Sequence, residues 1–180
     1  MSSHDILYLV FFGVCLFLSA FFSSSETAFF SMQKVRLKYL VDNQVKGAEL
    51  VTRMINQPAR LLSTILLGNN LVNVAAAAVA TTLAITYLPE DQGILVATIC
   101  TTIILLIFSE TIPKTIATQH AERLSLTYAR LLEMFSWLFT PIVVILSWIA
   151  SVFSRSLGAG STPKTLFSAD AIRTMISAGY

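Results

Sequence analysis

The segment 94-ILVATICTTIILLIFSETIPKTIA-117 decides the fold. Its first fifteen residues, Ile94 to Phe108, carry no charge. Glu110, Pro113 and Lys114 then follow within six positions. A helix rises 1.5 Å per residue, so about 20 residues cross the ~30 Å hydrocarbon layer of a bilayer. A carboxylate facing lipid at depth costs at least ~3 kcal/mol. Glu110 is therefore expected to face protein, water or an ion.

The composition supports a membrane setting. Of 180 residues, 55% are hydrophobic and only 12% charged, too few to clothe a water-soluble domain of this size. The formal net charge of +2 gives no polyanion-binding character, so no nucleic-acid partner is expected. Cys15 and Cys100 lie in apolar runs and read as small packing residues without a disulfide. The N-terminus, 1-MSSHD-5, has no Lys or Arg ahead of the first apolar run, and no small-residue cleavage site ends that run. The first segment is read as a retained span rather than a signal peptide.

Two more segments join the first as expected spans: Ile6 to about Met32, and 61–88. All twelve Lys and Arg residues lie between spans one and two or at and beyond the end of span three. The positive-inside rule then predicts an outer N-terminus and a cytoplasmic C-terminus. The stretch 34–58 places Val35, Leu40, Val41, Val45, Leu50, Val51, Met54 and Ile55 near helical spacing, which predicts an amphipathic juxtamembrane helix or helix pair. The apolar stretch 131–153 holds Pro141, Trp137 and Trp148. As a fourth span it would carry Arg155, Lys164 and Arg173 outside, so it is read as a helix or broken helix on the cytoplasmic membrane surface. The expected class is an all-α membrane protein with three transmembrane helices plus cytoplasmic-side juxtamembrane amphipathic helices. Residues 1–157 form that domain. Residues 158–180 read as a Gly/Ser/Pro linker and the start of a truncated cytoplasmic region.

Polar residues recur inside the spans. Ser19, Ser23 and Glu26 are spaced by four and three and share a helical stripe. Asn69 and Asn73 share a face just after Gly68. Counted from the nearest cytoplasmic polar marker, Ser23, Asn69 and Glu110 all lie about 14–16 Å deep. Pro113 lacks an N–H, which would free the carbonyl of Ser109. The set offers one carboxylate, hydroxyls, amide oxygens and carbonyls, with no histidine or thiolate. Oxygen-only donors suit hard cations such as Mg²⁺, Ca²⁺ or Na⁺. Each part also has a structural reading: serines bonding back to carbonyls, asparagines joining helices, Glu26 marking the interface. The alanine run 74-VAAAAVATT-82 reads as tight helix packing.

Three segments together, 19-SAFFSSSETAFFSM-32, 66-LLGNNLVNVA-75 and 109-SETIPKTIA-117, resemble the transmembrane domain of the CorC/CNNM magnesium transporters. The resemblance runs from about Ile6 to Tyr180 and implies a homodimer in the cell inner (plasma) membrane, in contact with lipid. It implies transport of Mg²⁺, exported in exchange for entering Na⁺, and not an enzyme. It also implies a cytoplasmic CBS-pair domain, beyond the sequence here. By the same resemblance the metal residues are Ser19, Ser23, Gly68, Asn69, Asn73 and Glu110, with Asn73 slightly preferred over Asn69 as the ligand. Two rivals are an exchanger of another ion or solute using Glu110 as a relay, and a non-transporting membrane anchor or sensor.

Overall fold

The computed structural model describes the backbone of residues 3–156 and the side chains from His4 to Ile145. The expected linker and truncated region, 158–180, lie outside the described residues. The chain divides into two compact units, Met1–Val143 and Val144–Tyr180, and all contacts given below lie within the first.

The described residues are helices and short connections. The helices are α1 (Ser3–Phe30), α2 (Lys34–Asp42), α3 (Ala48–Ile55), α4 (Pro58–Tyr87), α5 (Glu90–Ile104), a π-helical segment (Leu105–Thr111), α6 (Ile112–Gln119) and α7 (Ala121–Ser156). Among the described residues four helical stretches are long and apolar enough to cross a membrane: His4–Phe30, Pro58–Tyr87, Glu90–Gln119 and Ala121–Ile145.

The first three stretches form an up-down-up arrangement around α1. The Tyr87 hydroxyl donates to Asp5 Oδ2 at 2.5 Å, and Ser19 meets Asn69 and Asn73, so α4 runs antiparallel to α1. Ser109 bonds the Leu16 carbonyl and Lys114 pairs with Glu26, so the third stretch runs parallel to α1. That stretch is longer than the expected Ile94–Ile112, because Pro113 does not end it. Proline is tolerated in the first turn of a helix, and here it stands in the first turn of α6, directly after the π-helical segment. The N–H of Ile112 donates to the carbonyl of Ile107, five residues back, which is the π pattern.

The stretch 34–58 forms a helix pair. Gly47 turns the chain between them with φ +93°, a backbone angle that side chains with a Cβ disfavour. Leu37 and Leu40 of α2 and Ala48 and Val51 of α3 are buried. Val35, expected on the inner face, is 84% exposed. Helix α2 starts at Lys34, and Leu37 and Leu40, three apart, set its inward face instead.

Helix α7 is one continuous helix through Pro141, not a broken one. Its Tyr128 and Phe135 pack on Phe21 of α1, with ring centroids 4.9 and 6.1 Å apart, and Phe135 also packs edge-on against Phe22 at 5.0 Å. Three arginines fasten it to the other elements. Arg36 of α2 binds Glu122 at 2.7 Å, Arg53 of α3 pairs with Glu133, and Arg60 of α4 donates to Ser136 Oγ at 2.9 Å. The hydrogen bonds that Arg36 donates to the Glu122 carboxylate hold its guanidinium pKa above the usual value. All three arginines stand at the end of the bundle where α1 finishes and α4 begins. Their partners spread over 122–136 of α7, or about 21 Å of helix.

Both cysteines are free, Cys15 buried and Cys100 exposed.

Candidate functional site

The serine cluster of α1 sorts itself by hydrogen bonding. Ser24 donates to the carbonyl of Ala20 and Ser25 to that of Phe21, the usual back-bonding of a helical serine. Ser19 and Ser23 do not. Ser19 is fully buried, and its hydroxyl lies 3.0 Å from Asn69 Oδ1 and 2.6 Å from Asn73 Oδ1. Ser23, one turn further on, is 1% exposed and its hydroxyl has no partner among the described residues.

A hydroxyl has one proton, yet two amide oxygens converge on Ser19. Three oxygens thus meet with one hydrogen between them, and the surplus lone pairs face one another. A buried hydroxyl left unpaired costs about 1–3 kcal/mol, and Ser23 is such a group. An oxygen-rich cluster of this kind has donors of the type that hard cations take.

Gly68 belongs to the same level for a steric reason. A Cβ placed on it would stand 2.3 Å from Phe22 Cζ, so the Phe22 ring lies directly on the glycine. Only a residue without a side chain lets α1 approach α4 this closely, and the approach brings Ser19 to both asparagines.

The π-helical segment carries the acid. Ser109 is fully buried and donates to the Leu16 carbonyl at 3.2 Å, which docks the segment against α1 one turn before Ser19. Glu110, next in sequence, is half-buried, and its carboxylate makes no hydrogen bond or ion pair among the described residues. Among the described residues no three His, Cys, Asp or Glu side chains gather as a metal-binding group. Any cation here would rely on one carboxylate and neutral oxygens. The open cleft where α3, α4 and α7 meet is lined by Arg53, Gln57, Arg60, Glu133 and Ser136 and includes none of these residues.

Five of the six residues singled out from sequence thus stand together or alongside: Ser19 with Asn69 and Asn73, Ser23 one turn away, Gly68 under Phe22. Glu110 stands on the segment that Ser109 anchors to α1. The asparagines meet Ser19 rather than Ser23, one turn from the depth expected. Sequence reasoning does not pair Lys114 with Glu26, yet its Nζ lies 3.3 Å from Glu26 Oε2. The available signal was its place four residues after Glu110.

Residues 10–180 match the model of a family described as "Cyclin M transmembrane N-terminal domain". A UPF0053 protein of Haemophilus influenzae is 41% identical over 144 residues, covering 80% of this chain and 33% of that protein. The UPF0053 inner membrane protein YfjD of Escherichia coli is 35% identical over 141 residues, 78% of this chain and 33% of the relative. A polyamine export protein of Haemophilus influenzae is 22% identical over 188 residues, 98% of this chain and 43% of the relative. The chain spans about a third of the length of the first two relatives.

Proposed function

The chain belongs to the cyclin M (CNNM) transmembrane-domain family, and from that premise we propose that it is a Mg²⁺ transporter domain whose cargo is held between α1, α4 and the π-helical segment. The observation that carries this reading is the convergence of two amide oxygens on the single hydroxyl of Ser19, beside the unpartnered hydroxyl of Ser23. In the proposal Ser19, Ser23, Asn69 and Asn73 supply neutral oxygens, Gly68 its carbonyl, and Glu110 the fixed negative charge. Mg²⁺ wants near-octahedral oxygen ligands and gives up water reluctantly, so an oxygen-dense pocket with one carboxylate suits loading and release.

Further parts of the proposal are Mg²⁺ export coupled to Na⁺ entry, assembly as a homodimer, and a cytoplasmic C-terminus. The basic residues on one side support the orientation. So do the contacts of α7: partners spread along it lie at one end of the bundle, as expected of a helix lying across that end and not of a fourth span. The relative named for polyamine export favours a second reading, in which the cargo is an organic polycation.

Flux separates the two. Proteoliposomes holding the full-length protein should release loaded Mg²⁺, faster when Na⁺ is supplied outside, and spermidine should not compete. Polyamine flux without Mg²⁺ flux would transfer the site to the second reading. A variant adds a sharper test. Ser23→Ala removes a buried hydroxyl that bonds nothing, so thermal stability should hold or rise by about 1 kcal/mol. Mg²⁺ affinity should nevertheless fall about tenfold. A fall in stability with unchanged affinity would give Ser23 a packing role only.

A further inference from the structure

The Glu26–Lys114 ion pair stands outside the ligand set but is tied to it on both sides. Glu26 lies three residues beyond Ser23 on α1, and Lys114 lies four residues beyond Glu110 on the neighbouring parallel stretch. The spacing of three puts Ser23 and Glu26 on one face of α1, and the wider π turn that precedes Lys114 brings Glu110, four residues back, close to the same line. Lys114 thus has a carboxylate on either hand: Glu26, which it touches at 3.3 Å, and Glu110, one turn back along its own helix.

We propose that Lys114 is a tethered competitor for the cation at Glu110, parked on Glu26 while the site is loaded and turning onto Glu110 when the ion leaves. This deepens the cation-site reading and depends on it. Three observations support it. The Glu110 carboxylate has no partner of its own among the described residues. The Lys114 and Glu26 side chains are 45% and 33% exposed, so neither is locked by packing. The hydroxyl of Ser23, buried and unpaired among the described residues, lies on the α1 stripe one turn from Glu26, so the pair stands at the end of the oxygen cluster nearest α2. The charge logic follows. A divalent ion at Glu110 repels the ammonium towards Glu26. An empty site leaves a carboxylate in surroundings of low dielectric, where an ion pair is worth far more than in water. Lys114 is the one lysine or arginine in the stretch Glu90–Gln119. The unloaded site can then change conformation without a bare charge.

The test is a double-mutant cycle read by Mg²⁺ titration of the full chain. Lys114→Met should tighten Mg²⁺ about tenfold, because the competitor is gone, and Lys114→Arg should stay near wild type. Glu26→Gln should weaken Mg²⁺ about fivefold, because Lys114 then rests on Glu110. In the Lys114→Met background the same Glu26→Gln change should alter affinity by less than about twofold. In flux assays Lys114→Met should lower KM and kcat together, since tighter holding slows release. Equal weakening by Glu26→Gln in both backgrounds would mean simple through-space charge and would overturn the proposal. Mg²⁺ binding that depends on Glu110 with such an additive cycle sinks only this inference. Binding that ignores Glu110 sinks the transporter-site reading with it.

Discussion

Glu110→Ala should remove specific Mg²⁺ binding. Taking away one partner of a poorly solvated charge pair costs roughly 3 kcal/mol or more, which is a loss of about 100-fold in affinity. Glu110→Gln keeps the shape and an oxygen but not the charge, and should lose nearly as much. Folding should not suffer, since the carboxylate has no protein partner among the described residues. Lys114 keeps Glu26 as a partner when Glu110 is neutralised, so thermal stability without Mg²⁺ should stay within about 1 kcal/mol of wild type in both variants. Calorimetric titration beside thermal unfolding reads both effects. Wild-type affinity in Glu110→Gln would reject a charge-anchored cation.

The second large effect concerns Gly68→Ala. Alanine favours a helix over glycine by about 1 kcal/mol, so on propensity alone the variant should be more stable. Sterics oppose this. The new Cβ would lie 2.3 to 2.7 Å from three atoms of the Phe22 ring. That ring is 1% exposed and held by Phe21 at 5.3 Å and Phe135 at 5.0 Å, so it has nowhere to swing. Overpacking of this kind costs about 1–3 kcal/mol, and here it should sit at the upper end and win. Mg²⁺ affinity should fall as well, because α1 must move away from α4 and Ser19 from its asparagines. Phe22→Leu in the Gly68→Ala background should restore part of both losses. Thermal unfolding of the single and double variants decides it, and a stable Gly68→Ala alone would contradict the contact.

Much of this was legible in the residues. Ser19 and Ser23 declare a shared face by their spacing of four, as do Asn69 and Asn73, and Glu110 announces itself through the cost of a carboxylate in an apolar run. The helix pair in 34–58 was legible as amphipathic spacing, though Val35 was misplaced, because the inward face depends on where α2 begins. Other features depend on neighbours distant in sequence. Nothing near Gly68 says that a phenylalanine 46 residues away will lie on it. Which serine of 23-SSS-25 keeps a free hydroxyl follows from the backbone carbonyls within reach. The Glu26–Lys114 pair needs the parallel placement of two helices, which hydropathy does not supply. Pro113 hinted at irregular backbone, but not that the helix would widen before it instead of stopping.

That widening has an arithmetic of its own. Ser109 and Lys114 both reach α1, at Leu16 and Glu26, yet they are five positions apart. On a regular α-helix five residues turn through about 500°, leaving the two side chains about 140° apart. A turn that closes on the fifth residue reduces that divergence. The segment therefore behaves like one surplus residue spliced into an ordinary helix. Excising a single residue from it would swing everything beyond by about 100° and carry the lysine off its acid, which makes chain length at this spot less forgiving than side-chain identity.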